Sequence, residues 1–313
     1  MYYRGIMPGR PFSVNSKLSD TDRRNQLFKG KRLGDVTPYP DLTIIKMNSS
    51  YLEVVDKFYS WKGVFTAFVA IWIAVLVSFS LGFGWLEIES VRGGKGVSTF
   101  GAFAVPTLLL MAVAVFFLGR FEWAYYTHYP IRLNRARREV FVFRKDGSVL
   151  QVKWDSIFFT LGVDGRLWEI RGHVLGEDGE TIKETFALGV NDSGSDEGMR
   201  KLRSHWEFFR RYMEEGPDSV APYLKIALPI DGKRESFRIG YEVLASNFRH
   251  PDPVVALFGS LAWPFVALSS LGRWLAMQRS KVPRWPSDVE LMSVVDKGDL
   301  YDVDSRINPK RRR

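Results

Sequence analysis

Residues 63–86 read GVFTAFVAIWIAVLVSFSLGFGWL, and residues 97–119 read VSTFGAFAVPTLLLMAVAVFFLG. Neither stretch contains a charged side chain, and only ten residues separate them. A helix needs roughly 20 apolar residues to cross about 30 Å of hydrocarbon. Both stretches therefore predict transmembrane helices that form a hairpin. Pro106 fits this prediction, because neighbouring helices in a membrane can satisfy the carbonyl that a proline frees.

The distribution of basic residues predicts the orientation of this hairpin. Eleven Lys and Arg precede the first stretch, and Arg120 begins a basic segment after the second, whereas the connecting loop holds only Arg92 and Lys95. The positive-inside rule places the more basic flanks in the cytoplasm. We therefore expect a multi-pass protein whose N-terminus and most of whose chain face the cytoplasm.

Composition narrows the classes of function. The chain has 313 residues, a formal net charge of +9 and no cysteine. Without cysteine there are no disulfides, no thiolate metal sites and no Cys nucleophile. A basic excess is expected on the inner face of a membrane, where anionic lipids attract it. We therefore expect membrane lipids, and not nucleic acid, among the partners.

The motifs of common enzyme classes do not occur in the sequence. It contains no GxGxxG, GxxxxGK[ST], HExxH or GxSxG. The four histidines are scattered and form no i,i+4 pair for a metal. We therefore expect no catalytic residues, no cofactor and no metal site.

After the second apolar stretch the periodicity changes to that of β-strands. Six short runs, beginning with PIRLNR at residues 130–135, are separated by turn sequences such as KDGS. Residues 198–216 then have one apolar stripe at helical spacing. We expect residues 127–216 to form a cytoplasmic α+β module, an antiparallel β sandwich or barrel closed by the amphipathic helix. This arrangement resembles pleckstrin-homology-like (PH-like) domains.

The segments before the hairpin have different compositions. Residues 1–48 are rich in Gly, Pro, Ser and basic side chains without a sustained period, which predicts a flexible basic arm. Between Ser49 and Lys62, apolar residues recur at helical spacing. They predict an interfacial helix that leads into the first span, so that residues 49–126 hold this helix and the hairpin. The alternative is that they extend the first span itself.

Residues 217–282 are predicted to be a helical region, followed by a polar tail at residues 283–313. The region contains an amphipathic pattern around Glu235 to Phe248 and a third uncharged run, Pro253 to Gly272. Basic residues on both sides of this run, and the central Pro264, favour a re-entrant or interfacial segment. A spanning helix and a soluble core helix remain alternatives.

Two sets of residues are candidates for contacts. One set lies just after the hairpin and comprises Arg132, Arg135, Arg137 and Arg138. These side chains are suited to binding anionic lipid headgroups. The alternative is that they form a solvated face of a strand. The other set consists of small residues near the connecting loop, suited to close helix packing or to self-association into a homo-oligomer; it comprises Gly82, Gly84, Gly101 and Ala104.

The chain resembles a family of uncharacterised proteobacterial membrane proteins. The resemblance lies in the order of four elements: YLEVVDKFYSWKG, the apolar hairpin, HYPIRLNRARREVFVFRKDG and VKWDSIFF. That family combines a transmembrane hairpin with a PH-like domain, and some members are associated with type VI secretion gene clusters. The resemblance covers residues 51–284, and its characteristic elements are PIRLNRARREVFVFR and the Pro283-Trp285-Pro286 element. It implies a location in the bacterial inner membrane.

We therefore expect a non-enzymatic inner-membrane protein whose PH-like domain docks a protein partner. What the resemblance implies is an immunity or accessory role in type VI secretion, such as binding a membrane-acting toxin. The alternative is a regulatory or accessory subunit of an envelope or transport complex.

Overall fold

The computed structural model describes residue 12 and residues 14–246 and 263–308. The chain divides into two compact units. The sheet unit comprises the residues up to Ser60, Tyr126–Glu235 and those from Val282 onwards. The helical unit comprises Trp61–Tyr125 and Ser236–Lys281.

The sheet unit holds two antiparallel sheets among the described residues. In chain order the strands are β1 (Ser16–Lys17), β2 (Ile44–Met47), β3 (Tyr51–Val54), β4 (Ile131–Asn134), β5 (Glu139–Phe143), β6 (Val149–Lys153), β7 (Ile157–Asp164), β8 (Leu167–Leu175) and β9 (Thr181–Ser193). One sheet has the order β2-β3-β4-β5-β6 and the other the order β1-β9-β8-β7.

Helices lie in both units. In chain order they are α1 (Asp20–Arg24), α2 (Val64–Arg92), α3 (Thr99–Trp123), α4 (Asp196–Glu214), α5 (Phe237–Ser246), α6 (Trp263–Arg279) and α7 (Ser287–Leu291). Short 3-10 helices occur at Asp41–Thr43, Tyr59–Trp61, Trp154–Ser156, Pro217–Ser219, Ala221–Tyr223 and Ser305–Ile307.

The six strands predicted after the hairpin are confirmed as β4 to β9, and the closing helix as α4. The KDGS turn joins β5 to β6, where Gly147 takes a φ of +87° that side chains disfavour. The apolar stripe of α4 packs into the core, because the Trp206 ring lies 4.8 Å from Phe159 of β7 and 5.9 Å from Trp154. The sheet unit is therefore an α+β domain with an aromatic core.

Two predictions about the segment before the hairpin are wrong. The described part of the predicted flexible arm, residues 14–48, contributes β1, α1 and β2 to the sheet unit. The predicted interfacial helix between Ser49 and Lys62 contains β3 and only a single 3-10 turn. β3 is buried along its whole length between β2 and β4, and this burial on both faces overrides the helical spacing.

The helical unit contains the two predicted long helices. α2 and α3 are long and apolar enough to cross a membrane. α2 extends beyond the predicted end at Leu86. No side chain of its own first turn caps α2; instead the Glu122 carboxylate of α3 accepts hydrogen bonds from the backbone N–H groups of Gly63 (2.6 Å) and Thr66 (2.8 Å).

The region after residue 217 agrees with the predicted helices in part. α5 lies within the predicted amphipathic segment, whose last two residues are outside the described chain. Residues 253–262 of the third apolar run lie outside the described residues. The rest of the run belongs to α6, which continues past Gly272 to Arg279. Pro264 is in the first turn of α6, where a proline is compatible with a helix.

Candidate functional site

Arg132 was a candidate for contacts with lipid headgroups, and its position does not allow them. Its side chain is buried, with 3 % exposure, in the centre of the five-stranded sheet. It lies on β4 directly opposite Glu53 of β3. A buried guanidinium requires a counter-charge within the protein, and the structure supplies one.

Arg132 is enclosed by charges and aromatic rings. Glu53 Oε2 accepts hydrogen bonds from Arg132 Nε (2.9 Å) and Nη2 (2.6 Å), and a third from the Trp285 indole (3.0 Å). The guanidinium carbon lies 4.3 Å from the Tyr51 ring centroid and 4.9 Å from that of Trp285. Glu290 of α7 adds a contact at 3.2 Å. The two family-like elements of the sequence, which hold Arg132 and Trp285, therefore meet in one cluster.

The electrostatics of this cluster are those of a desolvated ion pair. Burial raises the pKa of the Glu53 carboxyl above its usual value, and Arg132 and the Trp285 indole oppose that rise by binding the charged form. Because one carboxylate oxygen accepts three donors, both partners are held in fixed positions. The pair is therefore suited to fixing structure.

A cleft of about 160 Å³ opens beside the pair. Its walls combine acidic, basic and aromatic side chains and include Glu53, His128, Arg132, Asp231, Arg284, Trp285 and Glu290. This volume suits a few waters or a small polar group. Among the described residues, no group of three or more His, Asp or Glu side chains is placed to hold a metal ion.

The cluster is one of several contacts that fix the C-terminal segment, residues 282–308, onto the sheet unit. Val303 exchanges two backbone hydrogen bonds with Met47 of β2, at 2.7 and 2.9 Å. Asp299 accepts hydrogen bonds from the backbone and hydroxyl of Ser49, at 2.7 and 2.8 Å. The described part of the predicted polar tail is therefore bound to the sheet.

Although it is fixed, this segment presents large aliphatic side chains outward. Leu291, Val294 and Leu300 are 76 %, 65 % and 92 % exposed. Apolar side chains on a mobile tail need no explanation, but the backbone here is held by ion pairs and backbone hydrogen bonds. Several exposed apolar side chains on one ordered segment can mark an interaction site. We call these three residues the aliphatic patch.

The other three arginines of the predicted lipid site lie in different surroundings. Arg135 is partly buried, and Arg137 pairs with Glu139 at 3.0 Å. Arg138 pairs with Asp155 at 2.6 Å and with Glu214 at 3.1 Å. Their contact with lipid stays a prediction, and these ion pairs reduce the positive charge that the group offers.

The small residues predicted to pack helices divide into two groups. A Cβ at Gly82 or Gly84 would meet no other atom of the described chain within 4 Å, so neither packs against a second helix here. A Cβ at Gly101 would collide with the Glu87 side chain of α2, so Gly101 is a close contact. Ala104 lines an apolar groove of about 480 Å³ with Phe83. Self-association through these residues stays a prediction.

The contacts that the sequence did not reveal involve Glu53 and the aliphatic patch. A signal for Glu53 was available: the apolar runs YLEVV and PIRLN each contain one charge, and the two charges have opposite sign. Opposite single charges in two buried strands indicate a cross-strand pair. No sequence pattern near the aliphatic patch identifies it, because the exposure of its side chains depends on how residues 282–308 fold onto the sheet unit.

Comparisons with known proteins give one finding about family membership. The model of a family of unknown function (DUF6708) matches residues 108–297, which is more than half of the chain. The match includes Arg132, Trp285 and Glu290 of the cluster. No curated protein and no solved structure matches the chain.

Proposed function

Because the chain belongs to the DUF6708 family of unknown function, we propose a function from its own geometry, that of a membrane-anchored docking protein without catalytic activity. α2 and α3 anchor it in a bacterial inner membrane. The sheet unit faces the cytoplasm and binds a protein partner. Membrane lipids are its other partners, and nucleic acid is not among them.

The exposure of α2 and α3 supports the membrane anchor. A core helix of a soluble protein is apolar and mostly buried. In the most apolar 18-residue stretch of each helix, only 28 % is buried within the protein in α2 and 11 % in α3. Large side chains such as Leu81, Phe103 and Leu110 are about 70 % exposed. In water this surface would be costly, at roughly 25 cal/mol for each Å², whereas lipid covers it without that cost.

The observation that carries the docking proposal is the aliphatic patch on its fixed segment. Ordering a partner's binding surface costs conformational free energy, and a surface already fixed avoids part of that cost. The Glu53–Arg132–Trp285 cluster and the Met47–Val303 hydrogen bonds hold the backbone of this surface. The three exposed side chains are then available to a protein with a complementary apolar surface.

Charge around the patch indicates the character of this partner. Residues 287–300 contain four acidic side chains and one lysine, whereas the whole chain has a net charge of +9. Asp288 and Asp296 are exposed and form no ion pair within the described parts of the chain. Complementary charge increases association rates and selects partners. We therefore propose a partner that places basic residues around an apolar centre.

The order of elements in the sheet unit supports a PH-like assignment of this domain. Strands β3 to β6 form four consecutive antiparallel neighbours, β7 to β9 form three, and α4 follows them. The helical insertion between β3 and β4 places the hairpin inside this series along the chain. A docking domain built around its own membrane insertion remains near the membrane during binding.

The resemblance described from the sequence suggests a class of partner. If the partner is a secreted, membrane-acting toxin, the protein is an immunity or accessory protein of type VI secretion. If the partner is a resident membrane complex, the protein is a regulatory or accessory subunit of an envelope or transport complex. The acidic and apolar surface is compatible with both classes.

The test compares capture of partners by the full chain and two variants, each solubilised from its native cells in detergent. The Leu291→Asp/Leu300→Asp variant changes the patch, and Phe28→Asp is the control because Phe28 is 54 % exposed elsewhere in the sheet unit. We expect a protein to co-purify with the wild type and the control but not with the patch variant. Equal capture by all three would reject the patch as the docking site.

A further inference from the structure

The burial pattern of α6 is the reverse of that expected for a helix on the surface of a soluble protein. Its inward face consists of the apolar Val266 and Met277 and of five small or polar residues, namely Ser269, Ser270, Gly272, Arg273 and Ala276. Its outward face is large and apolar and includes Trp263, Leu268, Leu271, Trp274 and Leu275, which are 38 % to 47 % exposed. With 3.6 residues per turn, the two sets lie on opposite sides of the helix.

The small residues of the inward face allow a close approach to α2. A Cβ at Gly272 would lie 2.7 Å from the Ala67 nitrogen and from the Gly63 oxygen. Gly63 has a φ of +96°, and a Cβ there would overlap the backbone of Arg273. The backbones of α6 and of the first turn of α2 are therefore in direct contact. Such contacts between small residues are characteristic of helices packed within membranes.

The charged group of α6 also points inward. Arg273 is fully buried, and its Nη1 donates a hydrogen bond to the Lys62 carbonyl at 3.0 Å. It is the only charged residue of α6 before Arg279. In a helix facing water, a charge would lie outside and leucines inside. In a helix facing lipid, a charge is expected inside, where protein groups satisfy it.

The contacts of α6 lie at one end of both long helices. Val64, in the first turn of α2, packs against the buried cluster that Val266 forms with Leu244 and Ala245 of α5. At the other end of α6, Lys281 donates a backbone hydrogen bond to Tyr125, just beyond the end of α3 (2.9 Å). α6 has 17 residues and is therefore about 25 Å long. Its contacts fall in the first turn of α2 and around the last turn of α3, where a helix that crosses their ends would make them.

We infer that α6 is an interfacial helix whose outward face is covered by the acyl chains of the inner leaflet. This inference rests on the proposed membrane anchor and adds a lipid-binding surface to it. Trp263 and Trp274 are residue types that favour the lipid–water interface. Arg279 and Lys281 at the C-terminal end are placed to meet anionic headgroups.

The experiment uses labels that report both exposure and depth. The chain has no cysteine, so each single-cysteine variant of the full protein is labelled at one site. Leu268→Cys and Leu275→Cys lie on the outward face of α6, Leu81→Cys lies on α2, and Leu300→Cys is the aqueous control, being 92 % exposed in the sheet unit. Each variant is labelled with an environment-sensitive fluorophore in phosphatidylethanolamine and phosphatidylglycerol vesicles. Quenching by iodide and by lipids with nitroxides at two depths is measured.

The expected result is that iodide quenches the Leu300 label and leaves both α6 labels protected. The two α6 labels should also lie at the same shallow depth, because an interfacial helix is parallel to the membrane. A spanning helix would separate them by about 10 Å over seven residues. Unequal depths of this size would overturn the inference.

Three further outcomes would also overturn it. If iodide quenches the α6 labels but not the Leu81 label, the membrane anchor stands and the lipid-facing α6 is rejected. If iodide also quenches the Leu81 label, both the anchor and the inference fail. Formation of a Leu268→Cys disulfide between two copies, with protection from lipid quenchers, would show that a second copy covers this face instead.

Discussion

Glu53 and Arg132 stand directly opposite each other on neighbouring antiparallel strands, although 79 residues and both long apolar helices separate them in the chain. Both side chains are buried, and Arg132 donates two hydrogen bonds to one Glu53 oxygen. A shift of one residue would move either charge to the other face of the sheet. We infer that the pair fixes the register in which the chain resumes the sheet after the helical insertion.

The first prediction concerns the loss of one partner of this pair. Among the described residues, Glu53→Gln leaves the buried Arg132 with the half-exposed Glu290 as its one counter-charge, at 3.2 Å. We expect the free energy of unfolding of the sheet unit to fall by about 3–5 kcal/mol, as for other broken buried pairs. Urea unfolding of the full chain in detergent, followed by tryptophan fluorescence, measures this loss.

Arg137→Gln is the matched control for Glu53→Gln, because Arg137 is half-exposed and its partner Glu139 keeps a second ion pair with Lys153. We expect this control to lower the free energy of unfolding by no more than about 1 kcal/mol. Equal losses in the two variants would contradict a special role for the buried pair.

The long helices were predictable because their signal is local. An uncharged run of more than 20 residues predicts a membrane-length helix whatever the rest of the chain does. The strands from β4 to β9 were predictable for a similar reason, since each run is bounded by turn residues. α4 has one apolar stripe, and its packing against Trp154 and Phe159 follows from that stripe.

β3 and its contacts were not predictable in this way. Tyr51, Val54, Val55 and Phe58 fit helical spacing, and nothing adjacent in the chain contradicts a helix there. The partner strand β4 follows only after the helical insertion, so the pairing that decides the structure is non-local. Tertiary context overrides local propensity in such segments.

Arg132 was assigned to a lipid site for a related reason. Counting basic residues beside a predicted span identifies a positive flank but not the acids that pair with it. Glu53 and Glu290 lie far from Arg132 in sequence on opposite sides. The aliphatic patch was not predicted, because leucines such as Leu291 and Leu300 are usually core residues. Only the position of their segment in the fold shows that they are exposed.

The second prediction concerns the contact between α6 and α2. Gly272→Ala places a methyl group 2.7 Å from two backbone atoms that cannot move aside cheaply. We expect a loss of about 1–3 kcal/mol in stability, as for other overpacked sites. Heating the detergent-solubilised chain while recording its helical circular dichroism measures this as a lower unfolding temperature.

Gly84→Ala is the control for Gly272→Ala, since it is the same substitution in a helix of the same unit, at a position where a Cβ meets open space. There we expect no loss, and a gain of up to about 1 kcal/mol from the better helix propensity of alanine. A similar fall in unfolding temperature for both variants would argue against direct backbone contact at Gly272.

The third prediction is a dependence of stability on pH that comes from His205 of α4. Its Nδ1 lies 3.1 Å from the Tyr39 carbonyl, and its Nε2 is buried without a hydrogen-bond partner in the described chain. Burial lowers the pKa of His205 to about 4, although the nearby Asp41 opposes this shift and Lys201 favours it. A second proton on the ring would have no acceptor among the residues that the structure describes.

The sign of the effect follows from linkage. Below the ordinary histidine pKa of about 6.5 the unfolded chain binds a proton that the folded chain refuses until about pH 4. The stability contributed by neutral His205 is therefore full above pH 6.5 and is lost as pH falls through this window. Between pH 7 and pH 5 the loss is about 2 kcal/mol. His205→Gln can still donate to Tyr39 but cannot titrate, so urea unfolding at both pH values should show a smaller loss in this variant.

The His173 imidazole beside Asp22 holds the pKa of that carboxyl at about 2, so Asp22 stays ionised in both measurements. An unchanged difference between pH 7 and pH 5 in the variant would assign the pH dependence to another group.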